Sequence, residues 1–269
     1  MRGDLNGFDQ AGLPQDFLRR RLVWGGLLLP LAGAASTRGW AQAGSATVWR
    51  PPAQVNLDYD MQGHWNGPIS GSGNVTWSYD ASSAQYALDL TISALFLSFL
   101  YASRGLYRAE TGFLPTSYRE KRIGRDRTVR LDYNTGKVSF SWKPESESRD
   151  MEPGIQDTTS VMMQIAYLIA NSSQSVRTGQ RFAFPIARMG SVKHWEFSVM
   201  GTPEVRTEVE SYRTIHVSRL PPESGSDNDL RVEFWLAPQM HYLPVKMAFN
   251  MKDGTYLQVL LRRVRQLVV

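Results

Sequence analysis

The strongest constraint on the fold of this chain is a two-residue alternation of apolar and polar side chains, which runs from Val55 almost to the end of the sequence. Successive side chains of a β-strand point to opposite faces of a sheet, so the alternation predicts half-buried antiparallel strands. The polar loop Asn134-Thr135-Gly136 separates two alternating runs and predicts a β-hairpin. The predicted strands lie at 55–61, 75–79, 86–92, 129–133, 138–142, 182–186, 195–199, 205–209, 215–217, 230–236, 243–251 and 256–264.

One segment of the chain has helical spacing instead. Asp157 is its predicted N-cap, the helix ends at 171–173, and the acidic, aperiodic stretch 143–154 before it is a predicted surface linker. The predicted fold is mainly β: a large curved antiparallel sheet or open β-barrel with one main helix packed on the concave face. Two sandwiched subdomains divided near the linker are the alternative. The apolar residues of the helix are Val161, Met162, Ile165, Leu168 and Ile169.

The first 43 residues have the three parts of a secretory signal peptide. The basic Arg19-Arg20-Arg21 precedes a short apolar stretch, 22–31, and small residues then lead to Ala41-Gln42-Ala43. The apolar stretch is shorter than the roughly 20 residues that a membrane-spanning helix needs. The sequence therefore predicts export to the periplasm, cleavage after Ala43, no transmembrane anchor after cleavage, and a single β-rich domain over 44–269.

The paired arginines also resemble a twin-arginine signal, which is read by a receptor. Leu18 and Trp24 depart from the residues usual around such a pair. Both the ordinary secretory route and the twin-arginine route are therefore open.

The composition excludes several kinds of chemistry. The chain has no cysteine, so it has no disulfide, no thiolate nucleophile and no thiolate metal ligand. The formal net charge is +5, but five arginines against three aspartates in the first 43 residues leave the remainder only weakly basic. So weak a field does not indicate nucleic-acid binding.

No catalytic or cofactor signature is present in the sequence. There is no Walker loop, no Gly-x-Gly-x-x-Gly motif and no Gly-x-Ser-x-Gly nucleophile elbow. The histidines, His64, His194, His216 and His241, occur singly and lack metal-ligand spacing. The sequence therefore predicts no catalytic residue, no metal site and no cofactor.

The run 94–101 interrupts the alternation because it is apolar on both sides. Such a run is typical of a strand buried on both faces, or of a short segment that plugs a barrel. Alternatively, it lines a ligand cavity together with the helix, since lipid and cofactor pockets are concave and mostly apolar. The predicted ligand-lining residues are Phe96, Phe99, Met162, Ile165 and Leu168.

A basic run is the densest charge feature. At strand spacing, Arg119 and Lys121 share one face while Glu120 and Arg122 share the other. The run is either a solvated hairpin whose cations discourage edge pairing, or a contact surface for an anionic lipid or polyanion. The predicted anion-contact residues are Arg119, Lys121, Arg122, Arg125 and Arg127.

Several segments, in their order along the chain, resemble the bacterial family catalogued as domain of unknown function 3108. Phe113 stands where that family more often has Leu. The family implies no activity, and its expected fold resembles the curved sheet of the periplasmic lipoprotein carriers. The segments are Gly112-Phe113-Leu114-Pro115-Thr116-Ser117-Tyr118 with Arg122, Asp132-Tyr133 with Val138, the Asp157 helix, Phe234-Trp235-Leu236-Ala237, His241-Tyr242-Leu243-Pro244-Val245, and the strand from Gly254 to Leu261.

Three functional hypotheses follow from these features. The first is a non-enzymatic periplasmic protein that binds an apolar ligand, such as a lipid or acyl chain, or an envelope partner protein. The second is a hydrolase or lyase of envelope polymers that uses acids such as Asp58, Asp60 or Glu110. The third is a structural envelope protein whose exposed strand edges pair with a partner.

Overall fold

The computed structural model describes residues 49–94, 97–144, 147–222, 230–251 and 254–269. The chain from Ala46 to Val269 forms one compact unit. The predicted signal peptide (1–43), its cleavage site after Ala43 and the predicted ligand-lining residue Phe96 lie outside the described residues. Within the described ranges, no helix is long and apolar enough to cross a bilayer.

Most of the described chain is β-strand. The strands are β1 (Gln54–His64), β2 (Pro68–Asp80), β3 (Gln85–Ala94), β4 (Leu97–Arg108), β5 (Gly112–Arg122), β6 (Arg125–Asp132), β7 (Lys137–Phe140), β8 (Arg149–Asp150), β9 (Gln156–Asp157), β10 (Arg181–Arg188), β11 (Ser191–Gly201), β12 (Glu204–Arg206), β13 (Ser211–Arg213), β14 (Ile215–Arg219), β15 (Arg231–Ala237), β16 (Leu243–Asn250) and β17 (Tyr256–Val268). Fifteen of them form one sheet in the order β8-β7-β6-β5-β4-β3-β2-β1-β17-β16-β15-β14-β11-β10-β9, while β12 and β13 pair separately. Among the described strands, all neighbours are antiparallel except β9 and β10, which are parallel.

The alternation seen in the sequence decides which side chains enter the core. In β3, Tyr86, Leu88, Leu90 and Ile92 are buried, whereas Ala87 and the other residues that alternate with them are half exposed. The predicted hairpin is confirmed, because β6 and β7 pair across the 133–136 turn. The prediction of a mainly β fold with a large curved sheet is therefore confirmed.

The sheet curls so strongly that strands far apart in the sheet order contribute to the same hydrophobic core. Tyr118 of β5 and Leu131 of β6 pack in one buried cluster with Ala187 of β10. The side-chain amide of Gln156 in β9 donates a hydrogen bond to the carbonyl of Phe113 in β5 at 2.8 Å. Since β8 and β9 remain edge strands among the described residues, the sheet is barrel-like but not closed by a backbone ladder.

The strands β1 and β17 are neighbours in the middle of the sheet. The carboxylate of Asp58 in β1 accepts a hydrogen bond from Nε of Arg265 in β17, which is 207 residues away along the chain. The hydroxyl of Tyr59 donates to the carbonyl of Pro244 at 2.7 Å. The pairing of β1 with β17 therefore connects the first described strands to the last.

One α-helix, α1 (Ser160–Ala170), confirms the predicted helix and packs on the concave face against β5, β9 and β10. Its N-cap residue is Thr159, not Asp157 as predicted, and the Thr159 side chain makes no capping hydrogen bond. The carboxylate of Asp157 instead accepts the backbone N–H groups of Thr159 at 2.8 Å and Ser160 at 2.7 Å. Asp157 thus satisfies unpaired amides at the helix start from two residues upstream of the N-cap.

The apolar run 94–101 is not one strand buried on both faces. It crosses from β3 to β4, and Ala94 and Leu97 are antiparallel partners at the hairpin. The run is apolar on both sides because it belongs to two strands that meet at one end of the sheet.

Gly71 lies within β2, where a Cβ would clash with the carbonyl oxygen of Ser93, so glycine permits close backbone approach. Two smaller predictions also differ from the structure. The predicted linker contributes the two-residue strand β8, which pairs with β7. Of the predicted strand 205–209, only the first residues lie in a strand, β12.

Candidate functional site

The curled sheet has two ends that are filled differently. At the first, which we call the closed end, helix α1 packs beneath the turn at 109–111. The side-chain oxygen of Gln164 accepts the backbone N–H of Phe113 at 2.7 Å. Gly112 has a φ of +82°, and a Cβ there would lie 2.3 Å from that oxygen, so glycine is required for this contact.

A buried polar network also holds the closed end together. The hydroxyl of Ser103 donates to the carboxylate of Asp157 at 2.6 Å and is hydrogen-bonded to the hydroxyl of Tyr86 at 2.9 Å. Burial raises the pKa of Asp157, although hydrogen bonds from Ser103 and from the backbone at 159–160 oppose this by favouring the carboxylate. The network joins β3, β4 and β9 to the start of the helix.

At the opposite end, which we call the open end, a cavity of about 330 Å³ lies on the inner face. It is framed by the β1–β2, β3–β4 and β16–β17 hairpins and is mostly apolar. Its lining residues are Met61, Trp65, Ile69, Ile92, Ala94, Leu97, Phe99, Tyr101, Arg122, Met251, Thr255 and Leu257.

A second cavity, of about 310 Å³, adjoins the first and extends toward the start of helix α1. Thr158 and Thr159 form its inner wall, together with Phe249 and Val232 of β16 and β15. The residues that line both cavities are Ile92, Tyr101, Arg122, Met251 and Leu257. We call these two adjoining spaces the mouth cavities.

The polar part of the mouth cavities is a small group of charged and phenolic side chains. Nε of Arg122 lies 3.6 Å from a carboxylate oxygen of Glu120. Burial and the charge of Glu120 raise the pKa of Tyr101 to about 12, with Arg122 acting in the opposite direction. The guanidinium of Arg188 lies over the Trp195 ring, 5.1 Å from its centroid. The mouth cavities therefore combine apolar walls with two cations and one carboxylate among their described lining residues.

The β5–β6 hairpin forms part of the rim around the mouth cavities. Gly124 supplies a φ of +67° at the second turn position, which leaves Ile123 at the tip with 69% of its surface exposed. Ile123 borders a shallower depression of about 350 Å³ together with Trp65, Arg122 and Arg125.

A wider depression, of about 930 Å³, lies on the outer face of β2, β3 and β4. It opens broadly to solvent, and polar side chains such as Asp80, Gln85 and Arg104 contribute to its lining. Its shape does not enclose a ligand, so the mouth cavities are the better candidate site.

The predicted ligand-lining residues lie in two separate places. Phe99 lines the first mouth cavity. Met162 and Ile165 lie in the hydrophobic core at the closed end, and Leu168 packs against that core. The described cavities therefore contact Phe99 and none of the three predicted helix residues.

The predicted anion-contact residues are also divided. Arg122 lines both mouth cavities, and Arg125 lies at the rim. Arg119 is exposed on the outer face and donates to Asp126 at 2.7 Å, while Arg127 lies over the Trp142 ring, 4.7 Å from its centroid. Lys121 is exposed on the outer face opposite Asp126 in the strand register.

The acids considered for hydrolysis do not converge. Asp58 faces outward, and although burial favours a higher pKa, hydrogen bonds from Arg265 and Asn74 hold the pKa of its carboxyl below the usual value. Asp60 lies 3.5 Å from Arg262, and Glu110 is exposed at the closed end. Within the part of the chain that the structure describes, no three His, Asp or Glu side chains are grouped closely enough to hold a metal ion.

Sequence reasoning missed most of the mouth-cavity lining, including Trp65, Met251 and Leu257. Ile92 and Leu257 were assigned to strands, but nothing in a strand pattern tells which inner-face positions border empty space. Gly67-Pro68 beside Trp65 is a turn signal, and it could have indicated an aromatic side chain at a hairpin tip.

Comparisons with known proteins agree on the fold. The family model described as "Protein of unknown function (DUF3108)" matches residues 50–262. Among solved structures, the chain is similar to a β-barrel-like protein of domain of unknown function DUF1849 from Brucella abortus, at 12% sequence identity and a TM-score of 0.53, covering 80% of this chain and 98% of that chain. No curated protein matches the chain. At this identity the structural likeness concerns the fold alone.

Proposed function

This chain belongs to the DUF3108 family of proteins of unknown function, and from that premise we propose that it is a non-enzymatic periplasmic protein that binds the acyl chain of an anionic amphiphile in its mouth cavities. The observation that carries the proposal is the pair of adjoining, mostly apolar cavities at the open end. The periplasmic location is part of the proposal and rests on the predicted signal peptide over 1–43.

The walls of the cavities favour an apolar ligand. The volumes, about 330 and 310 Å³, lie at the lower end of the roughly 300–1,000 Å³ range of ligand pockets. Each methylene group that leaves water for such a wall contributes about 0.8 kcal/mol. Because most of the lining side chains project from paired strands, little ordering is needed on binding, and more of this free energy appears as affinity.

The position of Arg122 favours an anionic head group. Arg122 lines both mouth cavities and the depression at the rim, so one guanidinium reaches the inner and the outer parts of the site. Its carboxylate partner, Glu120, lies at 3.6 Å, longer than an ordinary charge-assisted hydrogen bond. A ligand carboxylate or phosphate could therefore accept hydrogen bonds from Arg122 while its chain lies along Ile92 and Leu257.

A cavity-filling substitution tests the proposal directly. Ala94→Trp places an indole in the first mouth cavity, whereas Ala87→Trp places the same side chain on the outer face of the same strand. We expect the purified protein to bind a fatty acid that carries an environment-sensitive fluorescent group. Ala94→Trp should weaken this binding about tenfold or more, as expected for the loss of a few buried methylene contacts, and Ala87→Trp should leave it unchanged.

A head-group substitution tests the second part of the proposal. Removing one charge-assisted hydrogen bond with Arg122→Gln should weaken fatty-acid binding about tenfold but not the binding of the matching fatty alcohol. Arg130→Gln, at an exposed outward position on β6, is the control and should affect neither ligand. Equal binding by the parent protein and by Ala94→Trp, with both folded by circular dichroism, would contradict the proposed function.

A further inference from the structure

Apolar side chains are exposed on three separate hairpins around the mouth cavities. Trp65 and Met251 are each 52% exposed, and Ile123 is 69% exposed. Trp65 and Met251 also line the first mouth cavity, and Trp65 and Ile123 border the same rim depression. Exposed apolar side chains that cluster in this way mark a surface that contacts something other than water.

Cations surround the most exposed of these side chains. The segment 119–127 contains five cations and two carboxylates. Asp126 is bound by Arg119 at 2.7 Å, and Glu120 lies 3.6 Å from Arg122. Arg125, beside the hairpin tip, forms no ion pair with any described residue, so the tip presents net positive charge.

From these two features we infer that the open end docks on a bilayer surface that carries anionic lipids. Ile123 and Trp65 enter the head-group region, while Lys121 and Arg125 lie against lipid phosphates. A tryptophan side chain is well suited to the boundary between head groups and acyl chains. Each cation near such a surface is attracted to the anionic head groups, and salt weakens this attraction.

This docking goes beyond the proposed function and does not require it. It would place the openings of the mouth cavities against the membrane, so that an acyl chain could pass between bilayer and protein with little exposure to water. Two kinds of side chain, apolar and cationic, meet on a narrow rim around an opening, and this combination fits a charged bilayer surface better than a strand-pairing protein partner.

The test is co-sedimentation of the purified protein with vesicles of phosphatidylglycerol and phosphatidylcholine, compared with vesicles of phosphatidylcholine alone. We expect binding to the anionic vesicles that decreases as salt increases. Lys121→Glu combined with Arg125→Glu should weaken it about thirtyfold or more, since two attractive contributions are lost and two repulsive ones are gained. Trp65→Ser combined with Ile123→Ser should also weaken binding to the anionic vesicles.

The matched control makes the same change in total charge at the closed end. Arg177→Glu with Arg206→Glu alters two exposed cations far from the rim and should leave vesicle binding nearly unchanged. No binding by the parent protein, or equal losses in the rim and control variants, would overturn the docking inference. Ala94→Trp separates the two proposals: it should lose the fluorescent fatty acid yet still bind vesicles, so either proposal can fail without the other.

Discussion

The closed and open ends of the sheet are built from the same strands but are packed to different densities. In β3, Tyr86 and Leu88 are fully packed at the closed end, whereas Ile92 and Ala94, further along the same strand, border the mouth cavities. All four residues follow the same two-residue alternation along β3, and all four face inward. The difference arises from what lies opposite the strand: helix α1 at one end and no helix among the described residues at the other.

This contrast indicates that the mouth cavities are not a general packing defect. Phe113 at the closed end lies within 5.6 Å, centroid to centroid, of the rings of Trp77, Tyr86 and Tyr107. Ring contacts of this kind are typical of the close-packed interior of a protein. The proposed ligand site rests on this contrast between close packing at one end and adjoining cavities at the other.

The largest expected effect is a difference in unfolding free energy between one substitution at the closed end and one at the open end. Phe113→Ala removes a buried ring from the aromatic cluster and should lower the free energy of unfolding by about 3–5 kcal/mol. Phe99→Ala removes a half-buried ring from the open end and should cost about 1 kcal/mol. Denaturant unfolding followed by tryptophan fluorescence measures both values, and equal losses would show that the two ends are packed alike.

A smaller effect concerns ionisation at the closed end. Burial raises the folded-state pKa of Asp157 above its ordinary value of 3.8. Its contribution to stability is therefore fully present below pH 3.8 and is lost as the pH rises through the raised folded-state pKa. Asp157→Asn keeps a similar shape but has no such titration. We expect its free energy of unfolding, relative to the parent protein, to increase with pH above about 4 by about 1.4 kcal/mol for each unit by which the pKa is raised.

The measurement is a series of urea unfolding curves from pH 4 to pH 8 for both proteins. An open-end control, Asp126→Asn, should differ from the parent protein by a nearly constant amount over this range. The side-chain hydrogen bond from Arg119 lowers the pKa of Asp126 below its ordinary value of 3.8, so the parent protein loses this contribution only at pH values below about 3.8. A flat difference for Asp157→Asn would mean that this carboxyl titrates in the folded protein as it does in the unfolded chain.

The smallest effect is expected at the rim. Ile123→Ser changes the most exposed apolar side chain of the open end, which has little packing to lose, and should alter the free energy of unfolding by less than about 0.5 kcal/mol. Thermal unfolding by circular dichroism is sufficient to measure this. A loss of several kcal/mol would show that the tip packs against a part of the chain and is not a free surface.

The sequence was sufficient for the parts of the fold that depend on local pattern. Alternation located most of the strands, and helical spacing located α1 within one or two residues. It also separated the faces of β5: Glu120 and Arg122 are half buried and turned inward, while Arg119 and Lys121 are exposed. Each of these outcomes depends on residues that are close together in the chain.

The sequence was less informative about the candidate site because the site depends on distant partners. Met162 and Ile165 have the apolar helical spacing expected of either a ligand wall or a core, and in the structure they lie in the core. Trp65 and Met251 border the same cavity because β1 pairs with β17. No local sequence pattern predicts this long-range strand pairing. Phe99 was predicted because the run 94–101 is apolar on both sides, and in the structure this break in the alternation lies at the β3–β4 hairpin beside the first mouth cavity.

The pairing of β1 with β17 also has a consequence for how the chain reaches its native state. Strands β1 to β8 follow one another as neighbours in the sheet and can assemble as each is synthesised. One side of β1, however, has no backbone partner until β17 arrives, and this long-range closure is the kind of contact that slows folding. During that interval the apolar face and the unpaired edge of β1 are exposed to other chains, so the nascent protein is most vulnerable to aggregation just before its final strand docks.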